Sequence, residues 1–245
     1  MRELDSIAVV GAGRLGTALT AALRAAGLSV TGPLGRAPDV SGASLALLCV
    51  PDGQIAAAAA AIAGGSQGML VGHCSGATTL EELGDREAFS LHPLMTVPAG
   101  SPPSVFAGAA AAVEGSSPRA LAAAEALAEQ LGMRPMRVAP EDRAAYHAAA
   151  SIASNFLVTL EAAAERLAGT AGVDRAALAP LVRAAVDTWV ELGGEQALTG
   201  PIVRGDEATV ERQRAALLER TPELAPLFDA LADATRALAR SGVAT

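Results

Sequence analysis

Ile7-Ala8-Val9-Val10-Gly11-Ala12-Gly13-Arg14-Leu15-Gly16 carries four apolar residues into a glycine-rich turn, and Thr17 to Ala26 continue it with alanine-rich helical spacing. An apolar strand, a Gly-x-Gly-x-x-Gly turn and a helix, in that order, form a dinucleotide-binding fingerprint. Gly11 permits the tight turn, Gly13 lets backbone approach a pyrophosphate, and Gly16 lets the helix pack close to the strand. Ala12, Arg14 and Leu15 complete the expected cofactor loop. Exposed N–H groups and the dipole at a helix N-terminus hold an anion there without a lysine. The chain has none, since all 18 of its Lys+Arg residues are arginine. Schiff-base lysines, a pyridoxal phosphate aldimine and a Walker-type phosphate lysine are therefore excluded.

Around this motif, 245 residues with 51% hydrophobic content suffice for a sizeable core, in one large or two modest domains. A net charge of −8, aromatics at 2% and scattered arginines argue against a nucleic-acid partner. Met1-Arg2-Glu3-Leu4-Asp5 leads straight into the first strand, and no apolar run approaches the roughly 20 residues that span a bilayer. The expectation is a cytoplasmic protein with no membrane partner. Cys49 and Cys74 lack C-x-x-C spacing, so both are expected reduced, with Cys49 buried. His73, His92 and His147 stand far apart in sequence, and no metal site is expected.

Short apolar runs alternate with helical ones up to about residue 138, the pattern of a parallel sheet wrapped by helices. Strands are expected at Ser6–Val10, Ser29–Thr31, Leu45–Val50, Met69–His73, Ala88–Leu91, Gly108–Glu114 and Arg134–Val138. The clearest helices are Arg14–Ala26, Gln54–Ala63 and Pro118–Leu131, the last with Ser117 as N-cap. Residues 32–44 are rich in Gly, Pro and Ser and too short for a full crossover helix. Beyond Pro140 no β-branched alternation occurs, and helices are expected at Glu141–Ala168, Arg175–Leu192, Glu207–Arg220 and Glu223–Arg240. The fold class is α/β: a Rossmann-type parallel-sheet domain over residues 1–139 followed by an all-α domain over 140–245.

In folds that prefer NAD, a carboxylate ends the second strand and binds the ribose hydroxyls. Here that region reads Val30-Thr31-Gly32-Pro33-Leu34-Gly35-Arg36, with no carboxylate and with Arg36 placed to pair with a 2′-phosphate. The cofactor is read as NADP(H); the other role open to Arg36 is that of a solvated loop residue. Val50 and Pro51, at the end of the third strand, are expected to wall the cofactor, joined by Ser75 at the end of the fourth. His73 and His92 end two strands at the carboxyl edge where ligands bind in such sheets.

On the alanine-rich helix after Pro140, Arg143, His147, Ser151, Ser154 and Asn155 fall on one narrow face at 3.6 residues per turn. Such a stripe faces either water or a ligand. Ser, His and Asn are modest choices for a solvated face beside the Glu161, Glu165 and Arg166 used further along, which favours a ligand.

The layout resembles the superfamily of β-hydroxyacid dehydrogenases, 6-phosphogluconate dehydrogenases and pyrroline-carboxylate reductases, in which a Rossmann domain precedes a helical, often dimer-forming one. More closely, His92-Pro93-Leu94, Tyr146-His147-Ala148-Ala149, Ser154-Asn155 and Thr199-Gly200-Pro201-Ile202-Val203-Arg204-Gly205-Asp206 look like a bacterial family of Rossmann-like oxidoreductases whose C-terminal region is a domain of unknown function. In the β-hydroxyacid dehydrogenases a catalytic lysine stands one turn before an asparagine on this helix. By that pattern Asn155 matches the asparagine and Ser151 the lysine, so the acid must be another group. His147 and His92 are the competing proton donors, the latter because its His-Pro pair resembles that of prephenate dehydrogenases. Asn155 would orient the substrate, with Ser151 and Ser154 beside it.

Arg204, in a glycine-flanked loop, offers a fork for a carboxylate, and Asp206 is expected to cap the helix beginning near Glu207. These readings imply an NADPH-dependent reductase of a small 2-oxo acid, ketopantoate-like, or of a cyclic imino acid. The alternative is a non-catalytic NADP-binding sensor or scaffold, because a fold does not confer a function. Apolar segments at Phe156–Leu167 and Leu178–Trp189 exceed what a small bundle buries and imply a homodimer.

Overall fold

The computed structural model describes Leu4, residues 6–62 and residues 68–241. These form two compact units that divide between Ser154 and Asn155. The change of composition at Pro140 precedes that division by one helix.

The first unit is built on β1 (Ile7–Val10), β2 (Val30–Leu34), β3 (Leu45–Leu48), β4 (Leu70–His73), β5 (Ala88–Leu94), β6 (Ala110–Gly115) and β7 (Arg134–Arg137), in the sheet order β2-β1-β3-β4-β5-β6-β7. All neighbours pair parallel except β5 and β6, which are antiparallel. Strands β1, β3 and β4 are buried along their whole length, which is why β1 and β3 read as continuous apolar runs with no alternation. The sheet reverses direction of travel between β1 and β3, and ligands bind outside the carboxyl ends at such a switch point.

Helices α1 (Arg14–Ala25), α2 (Ile55–Ala61) and α3 (Pro118–Gln130) cover the sheet. On one face, Leu19, Leu23 and Leu127 pack with Leu45, Leu47 and Phe89; on the other, Ile55 and Ala59 pack with Ala46, Leu48 and Val71. Each large aliphatic side chain so buried contributes about 1.5–3 kcal/mol. Ser117 caps α3 as expected, its hydroxyl accepting from the Ala120 N–H at 3.1 Å. No helix joins β2 to β3. The expected end of α2 at Ala63, and Met1–Glu3 and Asp5 of the N-terminal segment, lie outside the described residues.

The long helix expected over Glu141–Ala168 is not continuous. Helix α4 (Arg143–Ser151) passes into a π-helical segment, Ile152–Phe156, before α5 (Leu157–Gly169) resumes. The wider π turn changes the angular step per residue, so the single narrow face inferred at 3.6 residues per turn does not extend past Ser151. Ser154 Oγ donates to the Ala150 carbonyl at 2.7 Å beside this irregularity.

In the second unit α6 (Arg175–Ala197) is regular up to Leu192, its expected end, where a non-helical Gly193 at φ 77° separates it from a short helical continuation. Helix α7 (Glu207–Arg220) has the expected bounds, and α8 spans Ala225–Ser241. Val210 and Leu217 of α7 and Ala225 and Ala232 of α8 are buried. Arg214 and Asp229 (2.7 Å) and Arg236 and Glu207 (2.6 Å) tie α7 to α8. Among the described residues no helix is long and apolar enough to cross a membrane.

Candidate functional site

The carboxyl ends of β1, β3, β4 and β5 lie along one edge of the sheet, and the candidate residues of the first unit gather there. After β1 the chain turns through Gly11 at φ 115° and enters α1 with Gly13 at its N-cap. A Cβ on Gly11 would lie 2.2 Å from the Cys49 carbonyl oxygen, and one on Gly16 would lie 1.9 Å from the Gly11 carbonyl oxygen. Packing within the protein therefore accounts for both. It does not account for Gly13, where a Cβ would meet nothing within 4 Å. Gly13 borders open space at a helix N-terminus with no side-chain cap bond and no acidic residue in its first turn. Ala12, Gly13 and Arg14 are exposed, and Leu15 turns inward against the core. Such a loop fits a pyrophosphate: its free N–H groups and dipole attract the anion, and only a hydrogen stands where a side chain would obstruct it. Arg36, just past β2, is exposed and makes no hydrogen bond or ion pair among the described residues.

Beyond β3, Val50 is half-buried and Pro51 exposed, both at the switch point. Cys49, expected to be buried, is partly exposed because it follows the last paired residue of β3, whereas Cys74 is the buried one. Both are free thiols, with their sulfurs 3.7 Å apart.

The two strand-end histidines are not equivalent. The β4–β5 ladder ends at His73↔Ser90, so His73 lies inside the sheet at 0% exposure, its Nδ1 accepting from the Ser75 N–H at 3.2 Å. Strand β5 continues against β6, with His92↔Ala112 and Leu94↔Ala110 paired, and so carries His92 past the end of β4. Gly76 packs against it: a Cβ there would come within 2.8 Å of His92 Cε1 and 3.0 Å of His147 Cδ2. Ser75 is buried, and its hydroxyl is used within the loop, accepting from the Ala77 and Thr78 N–H groups and donating to Thr78 Oγ1.

Helix α4 brings Arg143, Tyr146 and His147 to this edge, at spacings of three and four residues that share one helical face. Arg143 was expected on the ligand-facing stripe. Instead it is buried, with Nε and Nη2 each 2.8 Å from Glu114 Oε2, Nη1 donating to the Ser75 (3.3 Å) and Thr78 (3.1 Å) carbonyls, and Nη2 donating to Ser90 Oγ. It fastens the Ser75–Thr78 loop to β5 and β6. Tyr146 Oη lies 2.7 Å from His92 Nδ1, and the His92 ring meets Tyr146 and His147 edge-on at centroid distances of 5.6 and 6.2 Å.

Burial, then the neighbouring His147 and Arg143, push His92 down to about 4 against the opposing charge of Asp52. Burial and Arg143 likewise push His73 down to about 4. Both rings are neutral at pH 7. Burial raises the Tyr146 hydroxyl above its usual range despite Arg143, so it keeps its proton.

The sequence reading singled out neither Tyr146 nor Gly76 as a site residue. A signal for the first was present: Tyr146 is the single tyrosine of the chain and adjoins a candidate histidine. On the first unit's share of the stripe, His147, Ser151 and Ser154 are half-buried. Asn155 and Arg204 belong to the second unit, where both are exposed. Asp206 caps α7 as expected, accepting from the Thr209 N–H at 3.1 Å. Among the described residues no group of three or more His, Cys, Asp or Glu side chains is arranged to hold a metal ion.

The mostly parallel sheet with its glycine turn, followed by helices, defines a Rossmann-like protein with a helical C-terminal part. Residues 109–235, more than half of the chain, match the family model described as Domain of unknown function (DUF2520), and the chain belongs to that family. Among solved structures it is similar to a protein of Bacteroides fragilis described as a candidate NADP oxidoreductase, with 23% identity and a TM-score of 0.83 over 97% of this chain and 100% of that one. A protein of Thermotoga maritima follows, with 24% identity and a TM-score of 0.73 over 96% and 98% of the two chains. An imine reductase of Streptomyces aurantiacus shares 18% identity, with a TM-score of 0.62 over 97% and 95%. A comparison with curated proteins gives no match.

Proposed function

We propose that this protein is an NADP(H)-dependent reductase of a small 2-oxo acid or cyclic imino acid, acting in the cytoplasm. The observation that carries the reading is Gly13, a glycine with no packing reason to be one, at an open helix N-terminus on the same carboxyl edge of the sheet as His92. The names of the similar structures, an NADP oxidoreductase and an imine reductase, support the same class. Residues 11–16 would hold the pyrophosphate, Arg36 the 2′-phosphate, and Val50, Pro51 and the Ser75 loop the remainder of the dinucleotide. When bound, that group supplies the hydride. His92 and His147 serve the proton side of the reaction. Asn155 and Arg204 are proposed to orient the substrate and bind its carboxylate, each tested by its own alanine variant.

The proposal extends to a homodimer. Helices α5 and α6 contain no buried residue, and Phe156, Val158, Leu181, Trp189 and Val190 are each more than half exposed. An apolar surface of this kind is covered in stable proteins, and a second copy of the chain is the occupant proposed here. Sedimentation equilibrium at monomer mass would refute it.

The deciding experiment is fluorescence titration with NADPH and NADH, followed by NADPH oxidation with small 2-oxo acids and cyclic imines. Tight NADPH binding with turnover of one class supports the reading. Binding with no oxidation across the panel would instead favour a sensor, consistent with Ser151 where the superfamily has lysine.

A further inference from the structure

His147 and His92 were the candidate proton donors by sequence, yet among the described residues the side chain bonded to His92 is a tyrosine. We propose that Tyr146 is the proton donor of the reduction and that His92 is the residue that positions its hydroxyl and restores its proton; this rests on the reductase reading above. The hydroxyl and imidazole approach to 2.7 Å from segments 54 residues apart, so the contact is made by the tertiary fold and not by local chain geometry. Gly76 packs against the Cε1–Nδ1 edge of the imidazole, where its missing side chain leaves room for the ring, and it lies within the loop that Arg143 ties down through the Ser75 and Thr78 carbonyls.

The charges facing the pair are Arg143, His147 and Asp52. Burial beside the first two keeps His92 neutral near pH 7, so a cationic imidazolium is not available there as the acid. The tyrosine keeps its proton in the same range. When His92 Nδ1–H donates to Tyr146 Oη, the phenolic hydrogen is free to point at a substrate atom. The substrate carbon gains a hydride from the reduced dinucleotide, the Tyr146 O–H bond breaks, and a new O–H or N–H bond forms on the substrate. The phenolate is held by the Nδ1–H of His92. It recovers a proton from Nδ1 as Nε2 takes one from solvent; proton exchange with solvent then returns the imidazole to its Nδ1–H tautomer, so each turnover consumes one solvent proton and leaves both residues neutral in their starting forms.

Because Tyr146 is the single tyrosine, replacing all tyrosine with a fluorinated, more acidic analogue alters this residue alone. Three measurements test the proposal. First, nitrogen NMR of the three histidines in Tyr146→Phe must show the His92 Nδ1 signal moving while His73 stays fixed. An unmoved His92 signal shows that the bond does not form and overturns the proposal. Second, with a 2-oxo acid or cyclic imine that the wild type turns over, Tyr146→Phe is expected to lower kcat on the order of 10²-fold, with NADPH affinity kept within about twofold. Third, the fluorinated protein must keep activity while the alkaline limb of its pH–rate profile moves to lower pH. Undiminished kcat in Tyr146→Phe, with an active wild type, overturns the donor and leaves the reductase reading standing. A wild type inactive on the whole panel overturns both.

Discussion

Replacing each fingerprint glycine with alanine separates what the fold requires from what a ligand requires. At Gly13 the backbone has φ −75° and ψ −176°, open to any residue, and a Cβ meets no protein atom within 4 Å. Gly13→Ala is therefore expected to leave stability unchanged or to raise it by about 0.4–1 kcal/mol through a less flexible unfolded chain. For a chain of this size that is a rise of roughly 2–4 °C in Tm at most. Gly16→Ala places a methyl group 1.9 Å from the Gly11 carbonyl oxygen, and Gly11→Ala places one 2.2 Å from the Cys49 carbonyl oxygen at φ 115°. Both overlaps are with backbone, which cannot rotate away, and each is expected to cost about 3 kcal/mol or more. Binding follows a different order. The Gly13 methyl group occupies the space proposed for a phosphate, and displacing that phosphate from one charge-assisted bond costs about 1.5–3 kcal/mol, a ten- to hundredfold loss of affinity. The assay is thermal melting without cofactor, paired with NADPH titration by fluorescence. An unchanged NADPH Kd in a fully folded Gly13→Ala protein would refute the reasoning, because the open space over Gly13 would then not be the dinucleotide cradle.

Arg36→Ala is expected to lower NADPH affinity at least tenfold and leave NADH unaffected, as one charge-assisted contact of about 1.5–3 kcal/mol implies; an unchanged NADPH-to-NADH ratio in parallel titrations would remove NADP specificity from the proposal. Glu114→Gln leaves the buried Arg143 without its anionic partner and is expected to cost about 3 kcal/mol in urea unfolding, where a loss below about 1 kcal/mol would show that the pair contributes little. His92 titrates near 4 in the folded protein against 6.5 in the unfolded chain, so between those values the unfolded state binds more protons. Its contribution is present above pH 6.5 and is lost as pH falls towards 4, by about 3.4 kcal/mol at most. Unfolding free energies of His92→Gln should accordingly change less over that window than those of the wild type, and parallel curves would contradict the assignment.

The parts legible in the sequence were those whose causes are local. Asp206 sits three residues before Thr209, whose N–H it accepts, and α7 begins and ends where that cap and the Thr221-Pro222 pair place it. Strands β1 and β3 are apolar at every position because both faces are covered, which marks a parallel sheet without any knowledge of its neighbours. The π segment was not legible. Ser151 to Phe156 contain no glycine or proline, so nothing in the residue pattern distinguishes a wide turn from a regular one.

The site was harder to read because its residues are defined by where ladders stop, a long-range property. His73 and His92 both follow apolar runs and look alike in sequence. One is locked in the sheet because β5 still pairs beside it, and the other is carried forward because the antiparallel partner β6 extends β5 by further residues. Arg143 misled for a related reason: its spacing from His147 is that of a shared face, but the counter-charge that draws it inward, Glu114, lies on β6. The same guanidinium then ties the loop that packs against His92 and adds to the positive field that keeps the ring neutral. Position and protonation of the candidate centre thus have a common origin in one buried arginine, and a change at Arg143 should alter both together even though Arg143 lies outside the Tyr146–His92 contact itself.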